Sequence, residues 1–279
     1  MTEHTLLIRL AGPLQSWGVR ARHTEHDTHL RPTKSGTVGM LAAALGRDHR
    51  DDITDLAHLR FATRGDRMGR PTRDYNTVGG GTYPLRPLDL ITDHHRAQRV
   101  EHATSTATGP HLGYLATHAA GRWYGAPKYI APDPDTGTLI AAKADRAGLQ
   151  REKWYLADAA FVAAFQHTDP DFLHTIAAAL EQPKRLLWLG RKNCPPAGEI
   201  VQGVHPGTVE HVLAATQLLP NATQQSPWTW IEQPASGSRG QLINDQPLSY
   251  DRENRQYVDR REQRLRITPG TTHTWSDLL

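Results

Sequence analysis

The sequence predicts an α+β protein: a ferredoxin-like βαββαβ domain over residues 1–200, with a small β-rich region over 201–279. Three observations predict it. Short apolar runs bounded by turn residues alternate with two segments of helical spacing, a polar stretch separates the two halves, and turn-rich strand candidates follow residue 196.

Thr5 to Leu10 is a short apolar run closed by Gly12-Pro13 and reads as the first strand. Ser35 stands where an N-cap belongs, ahead of Val38, Leu41, Ala42 and Leu45 at helical spacing, with Gly46 as the stop. Leu59 to Arg64 is a second strand candidate. Trp154 to His167 is a third apolar segment, whose alanines leave helix and strand undecided. Asp169-Pro170 supplies a cap and a favourable first position for a helix whose face is Phe172, Leu173, Ile176, Ala177 and Leu180. Arg185 to Leu189 reads as the fourth strand, giving a sheet with two helices on one face. Thr208 to Ala214 is a further strand candidate.

Between the second and third strands lies an insertion at about residues 67–151, rich in Gly, Pro, Thr and His. An insertion of that length signals function or disorder in a compact domain. Val78 to Gly81 reads as a hinge and Asp133 to Gly137 as a hairpin tip.

The chain has 279 residues, of which 38% are hydrophobic and 22% charged, enough to bury a core. No apolar run approaches the ~18 residues of a membrane span, and the N-terminus lacks the basic start of a secretory signal. A single cysteine, Cys194, excludes an internal disulfide, and a reducing cytoplasm fits. Net charge +3 permits nucleic-acid binding without demanding it. Arg20, Arg22, Arg31 and Lys34 cluster near the start. Arg252, Arg255, Arg260, Arg261, Arg264 and Arg266 crowd a second segment, where four carboxylates dilute them into a solvated face.

Lys34-Ser35 at a helix start suggests a phosphate loop, but the full pattern needs glycines where Thr28 and Thr33 stand, so nucleotide hydrolysis is disfavoured. Lys34 and the amides after Ser35 suit one backbone phosphate, or are an ordinary cap. Gln15, Ser16 and Trp17 share a turn that offers an amide, a hydroxyl and a π-face to unpaired bases, unless Trp17 plugs the core. Arg20 and Arg22 alternate as on a strand and would hold phosphates from one side. Arg73 and Tyr75 pair a charge with a stacking surface or anchor the insertion, and Arg191-Lys192 suit a phosphate or a neighbouring subunit. Cys194 reads as a packed small residue. Among 16 histidines, the spacing of His23, His26 and His29 scatters them over both faces of a strand, so no metal or other cofactor is expected.

GPLQSWG (Gly12 to Gly18), PTKSGTVGMLAAALG (Pro32 to Gly46), RDYNTVGG (Arg73 to Gly80), WYLADAAF (Trp154 to Phe161) and LGRKNCP (Leu189 to Pro195) resemble, in order, the CasD branch of the Cas5 family from subtype I-E CRISPR surveillance complexes. Tyr257 to Arg261 resembles a closing strand of that family. The resemblance implies a non-catalytic RNA-binding subunit of Cascade that caps the 5′ handle of the crRNA in antiviral defence. The insertion would be a thumb, and the partners would be the Cascade backbone subunit, the large subunit and, indirectly, target DNA. The alternative is a metal-independent endoribonuclease like the subtype I-C relatives, for which His111, Lys128 and Tyr129 are candidates.

Overall fold

A computed structural model describes residues 2–18, 21–22, 25–78, 86–87, 123–124, 130–132, 139–141, 149–234 and 239–270. The chain divides into two compact units, residues 1–74 with 152–279, and residues 75–151. Mixed α/β structure dominated by antiparallel sheet is the outcome.

In chain order the strands are β1 (His4–Ala11), β2 (Leu14–Gln15), β3 (Ala21–Arg22), β4 (Glu25–His26), β5 (Arg60–Arg67), β6 (Arg70–Val78), β7 (Arg86–Pro87), β8 (Trp123–Tyr124), β9 (Ile130–Pro132), β10 (Leu139–Ala141), β11 (Leu149–Ala157), β12 (Ala160–His167), β13 (Val201–Pro206), β14 (Trp228–Glu232), β15 (Gln241–Ser249) and β16 (Gln256–Arg266). The helices are α1 (Lys34–Leu45), α2 (Thr54–Ala57), α3 (Pro170–Glu181) and α4 (Val209–Ala215). Within the smaller unit, β7 pairs with β8 and β9 with β10.

One seven-stranded sheet runs β13-β1-β12-β5-β14-β16-β15, and every pairing in it is antiparallel. β1 sits inside the sheet, so both of its faces are buried: Leu6, Ile8 and Leu10 join the core under α1 and α3, and Leu7 joins a second core. That second core holds Val209, Val212 and Leu213 of α4. The sheet is therefore covered on both faces at its centre, where helices on one face alone were expected. Arg64, wholly buried, fixes α4 in place by donating to the carbonyls of Leu213, Thr216 and Gln217 at 2.5, 2.8 and 2.9 Å and pairing with Asp66 at 2.7 Å. A cation at carbonyls left open by a helix C-terminus is favoured by the dipole.

Several elements differ from the expectations. Trp154 to His167 is two strands, split at Asp158 with φ 58, whose amide donates to Pro13 O at 2.9 Å. Arg185 to Leu189 is not a strand. Its neighbours bond instead to the end of α1 and to the opening turn, through Lys184 N to Ala44 O at 3.0 Å and Ser16 N to Leu189 O at 3.0 Å. The edge beside β1 belongs to β13, whose pattern is broken by Gly203, and the register shifts between Leu7 and Ile8. Thr208 to Ala214 is not a strand either. Thr208 caps a helix by accepting from His211 N, and Val209, Val212 and Leu213 then fall at helical spacing on the buried side. The strands after residue 227 extend the main sheet. Among the described residues no helix is long and apolar enough to cross a membrane.

Candidate nucleic-acid interface

The opening turn is closed rather than presented. The Gln15 side-chain nitrogen donates to Leu10 O and Ala159 O, both at 2.9 Å, while its oxygen accepts from the Trp17 indole at 3.0 Å, so both N–H groups and the oxygen are engaged. Ser16 Oγ donates to Trp154 O at 3.0 Å. Trp17 is wholly buried, its ring lying so near Gly36 that a Cβ there would come within 2.9 Å of it. The expectation that Gln15, Ser16 and Trp17 face unpaired bases is thereby overturned for these side chains. The Gln15 nitrogen and the Ser16 hydroxyl are spent on main-chain carbonyls, and the Gln15 oxygen and Trp17 indole on each other.

What the turn does is brace a loop. Trp17 N donates to Thr28 Oγ1 at 2.8 Å and His29 N donates to Trp17 O at 2.7 Å, clamping both ends of the segment between them. Within it β3 and β4 pair with each other, and β4 runs parallel to β11 with Glu25 opposite Glu152 and His26 opposite Lys153. Arg22 is thus placed on β3 by its backbone, and Arg20 lies outside the described residues. His29, partly buried and near Arg31, has its pKa lowered, first by desolvation and then by the arginine, which favours the neutral ring.

The helix start that suited a phosphate is occupied by the protein's own carboxylates. Helix α1 begins two residues earlier than expected, at Lys34, with Thr33 in place of Ser35 as N-cap, accepting from Gly36 N at 3.2 Å. Asp245 Oδ2 accepts from Lys34 N at 2.8 Å, where an anion would sit. The Lys34 ammonium is 1% exposed and held by both Glu232 oxygens at 2.9 and 2.8 Å. Arg260 bonds Asp245 at 2.6 and 3.0 Å and Glu262 at 2.8 Å, and Arg31 completes the cluster on Glu262. Three cations therefore balance three carboxylates below the surface. Burial pushes the Lys34 ammonium down and the Glu262 carboxyl up, each against the pull of its partners. Lys34 is consequently a structural cation, and Ser35, half-buried, offers its carbonyl to the hydroxyl of the partly buried Tyr250.

The loop after Trp188 docks on the same turn. Gly190 has φ 89, and a Cβ on it would meet Ser16 O at 1.8 Å, so only glycine lets the two backbones approach. Leu189 N donates to Cys194 O at 2.7 Å, closing the loop. The Arg191 guanidinium lies 5.2 Å from the Tyr155 ring and reaches Asp27 O at 3.4 Å, while Lys192 and Asn193 are exposed. Cys194 is buried with its thiol pKa raised by desolvation, which suits packing and not nucleophilic chemistry.

Arg73 is 55% exposed and touches Glu152 of β11 at 3.4 Å. Arg73, Arg191 and Lys192 thus lie along β11 and its flanking loops. Lys153 lies on the same strand, one residue ahead of the apolar segment that begins at Trp154. Tyr75, the first residue of the smaller unit, is half-exposed. Among the described residues no group of His, Cys, Asp and Glu could hold a metal ion. His111, Lys128, Tyr129 and the expected hairpin tip lie outside the described residues.

A family model described as CRISPR-associated protein (Cas_Cas5) matches residues 5–262. The chain belongs to the Cas5 family. This Cas5 chain is 38% identical over 95 residues to the CRISPR system Cascade subunit CasD of Escherichia coli (strain K12); the matched segment spans 30% of the chain and 42% of that relative, less than half its length. Two solved structures resemble it along nearly the whole chain. A crystal structure of a Cas protein shares 27% identity with a TM-score of 0.58, covering 95% of each chain. A chain of a CRISPR RNA-guided surveillance complex shares 26% identity with a TM-score of 0.60, covering 95% of this chain and 90% of that one.

Proposed function

We propose that this Cas5 chain is a non-catalytic RNA-binding subunit of a type I-E surveillance complex that grips the 5′ handle of the crRNA. The observation that carries this reading is the cationic strip along β11, where Arg73, Arg191 and Lys192 lie beside the clamped segment that carries Arg22 on β3. Positive groups on a rigid, half-exposed sheet suit phosphates, which position a strand without reading its sequence. The order β13-β1-β12-β5 with antiparallel neighbours supports a ferredoxin-like unit of RRM type. Because α4 covers the sheet face that such modules commonly leave open, RNA is held along β11 and the loops beside it. The opening turn serves as the brace of that strand. The insertion acts as a thumb over the adjoining RNA, and the protein contacts the Cascade backbone and large subunits in the cytoplasm.

Titration of the full chain with labelled handle RNA at several salt concentrations tests this. Arg191→Ala/Lys192→Ala is expected to weaken binding about tenfold and to lower the salt slope by about 1.4, two single-strand phosphate contacts. Unchanged affinity and slope would remove these residues from the interface. Discrete cleavage of repeat RNA in chelator would overturn the non-catalytic assignment.

A further inference from the structure

Strands β14 and β16 carry a second cationic feature that the handle site does not use. Trp228 stands opposite Arg266 and Trp230 opposite Arg264, and these four side chains share one face because directly paired residues of antiparallel strands point the same way. The Arg264 guanidinium lies 3.6 Å from the Trp228 ring centroid and Arg266 lies 4.2 Å from it. Arg264 also lies 5.7 Å from Trp230, and Arg31 is 5.5 Å from that ring on its inner side. An alternating row of guanidinium and indole thus leads outward from the start of α1.

The charges in this row are not equally satisfied. Arg31 and Arg260 spend theirs on the carboxylates of the buried cluster, which is balanced. Arg264 and Arg266 are exposed, and among the described residues neither meets a carboxylate. Arg266 donates only to the neutral Gln224 and Ser226, and Arg264 has no hydrogen bond at all among those residues. A guanidinium set over an indole is held in place by the ring, so Arg264 keeps all its N–H groups for a ligand and Arg266, bonded through Nη1 alone, keeps those on Nε and Nη2. Unpaired bases stack on guanidinium planes, and phosphates fill guanidinium forks. Residues two apart on a strand are about 7 Å apart, a spacing that an extended single strand can follow with successive phosphates.

We propose that Trp228, Trp230, Arg264 and Arg266 form a second binding surface for unpaired RNA, separate from the handle site on β11. The choice of RNA over DNA rests on the RNA-binding reading above; the surface itself rests on two arginines set over an indole with no carboxylate partner among the described residues. An acidic protein segment would fill the forks but has no use for the stacked planes.

The test is fluorescence anisotropy with a fluorescein-labelled unstructured RNA of about 15 nucleotides, using the full chain with Arg191→Ala/Lys192→Ala already in place to silence the handle site. Arg264→Gln/Arg266→Gln is expected to lower the remaining affinity about tenfold and the salt slope by about 1.4. Arg264→Lys/Arg266→Lys, which keeps the charge and loses the planes, is expected to recover the slope but not the affinity. Thermal melting with the wild-type midpoint certifies folding, and the lysine pair decides the matter if the glutamine pair melts early. No additional loss on either pair would overturn the proposal, while loss here with none at Arg191 and Lys192 would overturn the handle site and leave this surface standing. Tighter binding of the same sequence as DNA, or equal competition by polyglutamate, would also overturn the RNA assignment.

Discussion

Removing Glu232 is the sharpest perturbation of the buried cluster at the start of α1. Its two carboxylate oxygens hold the Lys34 ammonium at 2.9 and 2.8 Å, and one of them also accepts from Phe61 N at 2.9 Å. In Glu232→Ala, Lys34 stays 1% exposed with its charge uncompensated, because the helix N-terminus and Arg260 around it add no negative group beyond Asp245. Breaking one side of a buried ion pair costs about 3–5 kcal/mol. The reverse change, Lys34→Met, leaves Glu232 at 15% exposure with the Phe61 amide still donating, so its cost is smaller, about 1–3 kcal/mol. Lys34→Met/Glu232→Gln removes both charges together and is expected to lie within about 1–2 kcal/mol of wild type. Urea unfolding of the purified chain, followed by near-ultraviolet circular dichroism, yields the cycle, with a coupling of at least about 1 kcal/mol expected. Handle-RNA affinity of the folded fraction should stay within about twofold for Lys34→Met, since the ammonium does not reach solvent. An unchanged unfolding midpoint with a tenfold loss of RNA affinity would refute the reasoning and return Lys34 to the RNA interface.

The remaining predictions concern the brace and the acid limb. Gly190→Ala places a methyl where Ser16 O stands, so it should lower stability by about 1–3 kcal/mol and weaken handle binding through the displaced Arg191 loop, read by melting and titration together. Asp55 is hydrogen-bonded to Arg47, which holds its pKa below the usual 3.8. A carboxyl depressed in the folded state contributes stability that is present above its unfolded pKa and lost as pH falls through its folded one. Asp55→Asn should therefore flatten the fall in stability below about pH 4 in acid unfolding curves, and an unaltered acid limb would show that the pair is not formed in solution.

Much of the fold was legible because it depends on local physics. Leu6, Ile8 and Leu10 announce a strand, Gly46 with φ 83 ends α1 where expected, and Asp169 caps α3 with Pro170 at its first position. The misreadings share a cause. Arg185 to Leu189 has strand-like residues, but strand pairing depends on which segment reaches the edge of β1, and β13 does so with a weaker pattern. Thr208 to Ala214 carried both periods, and burial against Leu7 and Ala62 selected the helical one.

By itself the sequence determined the first strand, the two long helices and the residue types that the opening segment brings together: an amide, a hydroxyl, an indole, a lysine and a helix start. It could not determine which of them meet solvent. Exposure depends on partners distant along the chain: Ala159 for Gln15, Trp154 for Ser16, Gly36 for Trp17, and Glu232 with Asp245 for Lys34. The first three contacts form when β11, the turn after it and α1 pack against the opening turn, and the last when the C-terminal strands close over α1. Tertiary structure therefore turned the apparent binding groups into the frame and left Arg73 and Lys192 exposed and Arg191 partly so, because a charge taken out of water must be matched by a carboxylate while one at the surface keeps its hydration.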